Sequence, residues 1–210
     1  GLGDVYKRQT LKRTDSPTVS EEGVFIICSW CVSVGIEVQS ADLESGYFQG
    51  VKLWYTLVLQ QPDGGLPDDS IAHDDYLLAN VPIYGTSAAG RGLYFRLRTL
   101  FLQHGLRENF VVAALHSYSV EGEVWIMIGT HVDDLFFGNL AKAAELMNAI
   151  LSEIILGKTC KRNFTFRGCE IRTDDDLTSR VTCEKTTDKL EPIRLGPERS
   201  NNSPDDECTQ

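Results

Sequence analysis

Within 210 residues, two places set acidic side chains where an apolar pattern would otherwise run on. Asp133 and Asp134 stand between an apolar run at 124–128 and the triplet Leu135, Phe136, Phe137. Asp42 closes a second segment and is followed by the small turn residues Ser45 and Gly46. A strand that runs into a tight acidic turn and back out makes a poor core. It aims carboxylates well, and oxygen ligands are what Mg²⁺ selects for its near-octahedral shell. Three carboxylates from adjacent strands can hold two such ions ~3.5–4 Å apart, the spacing that in-line phosphoryl transfer uses. An Asp-Asp pair is also what a solvated hairpin tip looks like, so residue type alone leaves both readings open. His131 beside the pair has two readings as well, a metal ligand or a structural imidazole.

The elements that must position these residues follow from periodicity. Thr18 and Glu21 have capping-box spacing before an apolar stretch, which predicts a helix over 19–34 stopped by Gly35. A short strand over 36–42 then delivers Asp42. Aromatic and β-branched residues predict a strand over 53–59, ended by Pro62, and the Gly/Pro/Asp segment 62–75 reads as a loop. Leu93, Leu97, Leu100 and Phe101 recur at helical spacing in a helix predicted over 87–104, with Gly105 as its stop. Strands at 109–118 and 123–130 flank a turn at Val120-Glu121-Gly122. A helix at 140–154 and strands at 163–172 and 178–184, around the acidic turn Asp174-Asp175-Asp176, complete the order. Helices and strands mixed in this way describe an α+β domain.

Composition narrows the class. With 42% hydrophobic and 24% charged residues the chain can build a core, which excludes wholesale disorder. No apolar run approaches the ~18 residues of a membrane span, so no membrane partner is expected. Six cysteines at irregular spacing do not make a disulfide framework, and a reducing intracellular setting is expected. Cys28-Ser29-Trp30-Cys31 has Cys-x-x-Cys spacing, but no second pair stands at ligand spacing. Both thiols read as small buried hydrophobes of the first helix. The net charge of −10 is local in origin. Residues 63–75 hold five Asp and no Lys or Arg, and 174–210 hold ten acids against five bases. Arg91, Arg96, Arg98 and Arg107 lie in a stretch without acids, on a helix that could face a phosphate backbone or simply solvent.

Several motifs, in order, resemble the reverse transcriptase domain of copia-type LTR retrotransposons. Asp42-Leu43-Glu44-Ser45-Gly46-Tyr47-Phe48-Gln49-Gly50 fits the length and aromatic position of the family's Asp-Val-Lys-x-Ala-Phe-Leu-x-Gly. Gln61-Pro62-Asp63-Gly64 matches the Gln-Pro-x-Gly that follows. Tyr84-Gly85 through Arg91 to Tyr94 lies over Tyr-Gly-Leu-Lys-Gln-Ala-Pro-Arg-Ala-Trp-Tyr. His131-Val132-Asp133-Asp134 corresponds to Tyr-Val-Asp-Asp, and Phe166-Arg167-Gly168-Cys169-Glu170-Ile171 to Phe-Leu-Gly-Ile-Glu-Ile. Ser16-Pro17-Thr18 stands at the Ala-Pro-Val before the first helix. The resemblance covers 14–192.

It implies a palm-like antiparallel sheet backed by helices, with the fingers incomplete and the thumb truncated. On this reading 10–192 are a partial reverse transcriptase domain. Residues 1–9 read as translated sequencing adaptor, and 193–210 as a disordered linker or cut tail. The implied activity is RNA-directed DNA polymerisation, with Asp42, Asp133 and Asp134 binding two Mg²⁺ ions, which Mn²⁺ could replace. Tyr47 falls at the steric gate that excludes a ribose 2′-hydroxyl, and Arg91 is a candidate phosphate contact. The implied partners are an RNA template, a DNA primer, deoxynucleoside triphosphates and the rest of a Gag-Pol polyprotein with its integrase and RNase H. The implied setting is a cytoplasmic virus-like particle or the nucleus. The sequence departs from the family at His131 for Tyr, Ser87 and Ala88 for Lys and Gln, and Leu93 for Trp. Those departures support an alternative, a catalytically dead retroelement remnant. For the segment by itself the expectation is no measurable polymerisation, because only Leu11-Lys12-Arg13 would represent the basic fingers.

Overall fold

Ser20, two residues beyond the predicted cap, starts the first helix of the computed structural model, which describes residues 15–190 apart from 54, 68–70 and 73–74. The Ser20 hydroxyl accepts from the Gly23 amide at 3.4 Å, heading α1 (Glu21–Ser33). Residue 19 cannot be helical because its amide donates across to Thr130 of the main sheet at 2.8 Å. The helix stops where expected, with Gly35 at φ 69°. Residues 1–9 and 193–210, the expected adaptor and tail, lie outside the described residues.

The main sheet has six antiparallel strands in the order β4-β5-β6-β7-β1-β8. They are β1 (Gln39–Leu43), β4 (Arg107–Glu108), β5 (Leu115–Val120), β6 (Glu123–His131), β7 (Asp134–Asn139) and β8 (Leu156–Lys161). Side chains alternate between its faces with a period of two. Ala41, Leu43, Ile126, Ile128, Leu135 and Phe137 point to one face and meet α2 (Ala89–Gln103) and α3 (Ala144–Ser152). Leu93, Leu97, Leu100 and Phe101 of α2 and Met147 and Ile150 of α3 are buried there. Each such side chain contributes roughly 1.5–3 kcal/mol by leaving water. Val38, Leu115 and Phe136 point the other way, against Val24, Ile27, Cys28 and Cys31 of α1 and against a second, three-stranded sheet. That sheet is β11-β10-β9, built from β9 (Asn163–Phe166), β10 (Cys169–Thr173) and β11 (Ser179–Thr182), with a short α4 (Glu184–Thr187) behind it. The chain is an α+β structure with antiparallel sheets. Among the described residues no helix is long and apolar enough to cross a membrane.

The differences from the predicted elements have local causes. Residues 109–114 are not a strand: the Asn109 side chain accepts from the amides of Val111 and Val112, and Ala114 takes φ 56°. Such an Asx turn outcompetes β-propensity. The run 163–172 is two strands, because Arg167-Gly168 turns the chain with both φ values positive (51° and 77°). β8 lacks apolar alternation and was not anticipated. Of the strand expected over 53–59, β2 (Leu57–Leu59) is paired, with β3 (Leu77–Ala79) beyond the acidic loop. Asp68, Asp69 and Asp74 of that loop lie outside the described residues.

Candidate functional site

β1 and β7 run side by side with Asp42 directly opposite Asp134. An opposite pair has its Cβ atoms about 4.5–5.5 Å apart on one face of the sheet. His131, at the end of β6, is opposite Asp134 on the other side. Asp133 joins them through the backbone: its carbonyl accepts from the Leu43 amide at 2.8 Å. The sheet thus brings Asp42 beside the adjacent pair Asp133 and Asp134, from which it is remote in sequence.

The turn that presents them is under strain. His131 and Asp134 pair, so Val132 and Asp133 alone make the reversal. Two-residue hairpin turns need positive φ at their first position and favour Gly or Asn there. Here that position is Val132, at φ 59°. A β-branched residue in that region is an outlier that costs on the order of 1–3 kcal/mol, a kind of strain that clusters at functional sites.

Two glycines make room for the acids. A Cβ at Gly46 would lie 2.8 Å from the Asp133 Cβ, and one at Gly157 of β8 would lie 3.1 Å from Asp42 Oδ2. Gly46 opens the 3₁₀ turn Gly46–Gln49, which carries Tyr47. Gln49 clamps that turn to the start of β8. Its amide nitrogen donates to the carbonyls of Glu44 (2.7 Å) and Ile155 (2.9 Å), and its oxygen accepts from the Ile155 amide (2.8 Å). The Tyr47 ring rests on Tyr84, centroids 4.5 Å apart. Gly157, Gln49 and Tyr84 were not among the expected site residues. Gly157 and Gln49 act through partners remote in sequence, so no local spacing signals them.

The titration behaviour reports the crowding. Asp134 is pushed up to about 6, first by burial and then by the charges of Asp133 and Asp42. Tyr47 is raised by burial, then by Asp133 and Tyr84. His131 is lowered by burial and by Arg167, with Asp133 opposing. Its ring meets Phe166 edge-on, and among the described residues its buried Nδ1 has no hydrogen-bond partner.

Among the described residues no three His, Cys, Asp or Glu side chains are already gathered into a metal cage. Asp42, Asp133 and Asp134 offer only oxygen donors, the type a hard ion such as Mg²⁺ takes, and the charges of Asp133 and Asp42 both bear on Asp134. Arg91 is held elsewhere. Its guanidinium donates to the Asp15 carbonyl at 2.9 Å, pairs with the Asp15 carboxylate and lies over the Phe95 ring at 4.8 Å. The other arginines of this basic helix are engaged too, Arg98 with Glu108 (2.7 Å) and Arg96 with the Glu153 carbonyl (3.2 Å). Of the arginines that could face a phosphate backbone or simply solvent, Arg91 and Arg98 are thus paired with carboxylates of the chain itself. Leu93, at the family's Trp position, is fully buried in the core. Comparison with family models, curated proteins and solved structures finds no match.

Proposed function

We propose that this chain is the palm portion of a retrotransposon reverse transcriptase, an RNA-directed DNA polymerase acting by nucleotidyl transfer. The observation that carries the reading is the pairing of Asp42 with Asp134 across β1 and β7, beside a strained Val132-Asp133 turn. Separate motifs of the resemblance meet there. Asp42, Asp133 and Asp134 would hold Mg²⁺. When bound, the metal would ease deprotonation of a primer 3′-hydroxyl and offset charge on the departing pyrophosphate.

The chain's own residues supply the positioning. Gly46 and Gly157 keep the space around Asp133 and Asp42 open, and Gln49 fixes the loop that carries Tyr47. Tyr47, steadied by Tyr84 and beside Asp133, suits a gate that tells deoxyribose from ribose. Arg91 is kept as a phosphate contact only if a triphosphate outcompetes Asp15 for it. That pairing, with Ser87 and Ala88, favours the second reading, a remnant that folds without catalysing.

Primer extension by a full-length element carrying this sequence, on an RNA template with Mg²⁺, separates the two. Extension should vanish with Asp133→Asn, because an amide cannot supply the anionic ligand. Tyr47→Ala should admit ribonucleotides while extension persists. No extension from the unmutated element would establish the remnant. Extension indifferent to Asp133→Asn would overturn the metal site.

A further inference from the structure

The second sheet carries a feature independent of the carboxylates. β10 and β11 pair antiparallel with Glu170 opposite Thr182, and continuing that register one residue past the end of β11 brings Cys169 opposite Cys183. Their sulfurs lie 3.1 Å apart. Directly opposite residues have Cα atoms about 4.5–5.5 Å apart, which falls within the roughly 4.4–6.8 Å that disulfides span. Closing the bond needs side-chain rotation, not movement of the strands. Cys183 is exposed and Cys169 half-buried, so a reagent can reach the first and leave the second to follow. Cys28 and Cys31 differ on each count. They are buried in α1, and burial pushes their thiols up to about 11 and about 12.

We propose that Cys169 and Cys183 are a modification site, a dithiol that small disulfides of the glutathione type convert to an intramolecular disulfide closing the β10–β11 hairpin. Cys183 loses its proton to solvent, and its thiolate attacks one sulfur of the reagent. The reagent's S–S bond breaks, and one small thiolate leaves and is protonated. The Cys169 thiolate then attacks the Cys183 sulfur of the mixed disulfide and expels the second small thiolate. Two protein thiols are oxidised, and one reagent disulfide is reduced to two thiols. In the dithiol, burial first and then Cys183 push Cys169 up to about 11; the second step needs the Cys169 thiolate and so quickens as pH rises.

The test is exposure of the purified chain to excess glutathione disulfide, alkylation of the remaining thiols, and tryptic mapping by mass spectrometry. The expected product joins peptides 168–172 and 181–185, lighter by two hydrogens than their sum and free of glutathione. Dithiothreitol should reverse it. In Cys169→Ser the expected product is instead a lasting glutathione adduct on Cys183. Alkylation of both thiols in the unmutated chain, a lasting adduct on Cys183, or a link from either residue to Cys160 or Cys208 would overturn the pairing. Absence of the adduct in Cys169→Ser would overturn Cys183 as the attacking thiol. The unmutated peptide map decides the pairing even where the variant does not fold.

Discussion

The two ends of β6 are closed by turns of equal length and opposite character. At one end Val120 pairs with Glu123 around Glu121-Gly122, with φ values of 51° and 85°. The glycine satisfies a left-handed backbone at little cost, and a Cβ added there would meet nothing within 4 Å. At the other end Val132-Asp133 makes the same reversal with a β-branched residue at φ 59°. Its aspartate is pressed against Gly46, and the neighbouring Asp134 is pushed up to about 6. A chain needing only two reversals could have used the Glu121-Gly122 solution twice. Both turns hold a non-glycine residue at positive φ, but the β-branched Val132 carries the greater strain. Its end adds crowding against Gly46 and like charge around Asp134, which separates a turn that connects from a turn that presents.

The contrast can be broken by substitution. The largest effect is expected in primer extension by the full element: Asp133→Asn should lower the rate at least ~100-fold, on the scale of losing a group that stabilises transition-state charge. Glu121→Gln should leave it unchanged. Equal losses at the two turns would erase the distinction.

Next comes packing. Gly46→Ala sets a methyl 2.8 Å from the Asp133 Cβ and 3.3 Å from Leu93 Cδ2. Overpacking of this kind costs roughly 1–3 kcal/mol, and urea unfolding should show it together with a displaced 131–134 turn in NMR spectra. Gly122→Ala has space and carries only the left-handed penalty of roughly 1–2 kcal/mol. Its effect should be confined to the β5–β6 tip.

Charge coupling gives a third test. Asp134 holds its proton up to about pH 6, against 3.8 when unperturbed. The folded state therefore binds more protons than the unfolded one between these values. This contribution to stability is present below pH 3.8 and is lost as pH rises through about 6. Carboxyl-detected NMR titration should show the Asp134 midpoint falling in Asp133→Asn and, less strongly, in Asp42→Asn. Glu121→Gln should leave it in place.

The smallest effect belongs to the strained residue itself. Val132→Gly should raise stability by about 0.5–1 kcal/mol, the relief of left-handed strain less the entropy glycine adds to the unfolded chain. Glu121→Gly should gain less, since Glu is not β-branched. A loss of stability in Val132→Gly would show that the valine side chain contributes more by packing than its backbone loses.

Legibility in the sequence differed by region for physical reasons. The Leu93, Leu97, Leu100 and Phe101 stripe and the Gly105 stop were readable because helix and cap depend on residues a few positions apart. The acids were readable as types interrupting an apolar run. The strand 109–118 was misread in its first half because Phe110 and Val111 have strand propensity yet stand fully exposed, held out by the Asn109 turn. The hairpin inside 163–172 was missed because Arg167 at positive φ is not a residue that announces a turn.

What the sequence by itself determined was local. It set the α2 stripe, the Glu121-Gly122 reversal and the placing of Asp42, Asp133 and Asp134 at the ends of apolar segments, because propensity and turn chemistry act over neighbouring residues. Only the tertiary structure decided that Asp42 faces Asp134, that β8 brings Gly157 against Asp42, that Asp15 takes Arg91, and that Cys169 meets Cys183. Those outcomes rest on strand register and two-sided burial. Both are settled by hydrogen bonds and packing between residues remote in the chain, which no local pattern encodes.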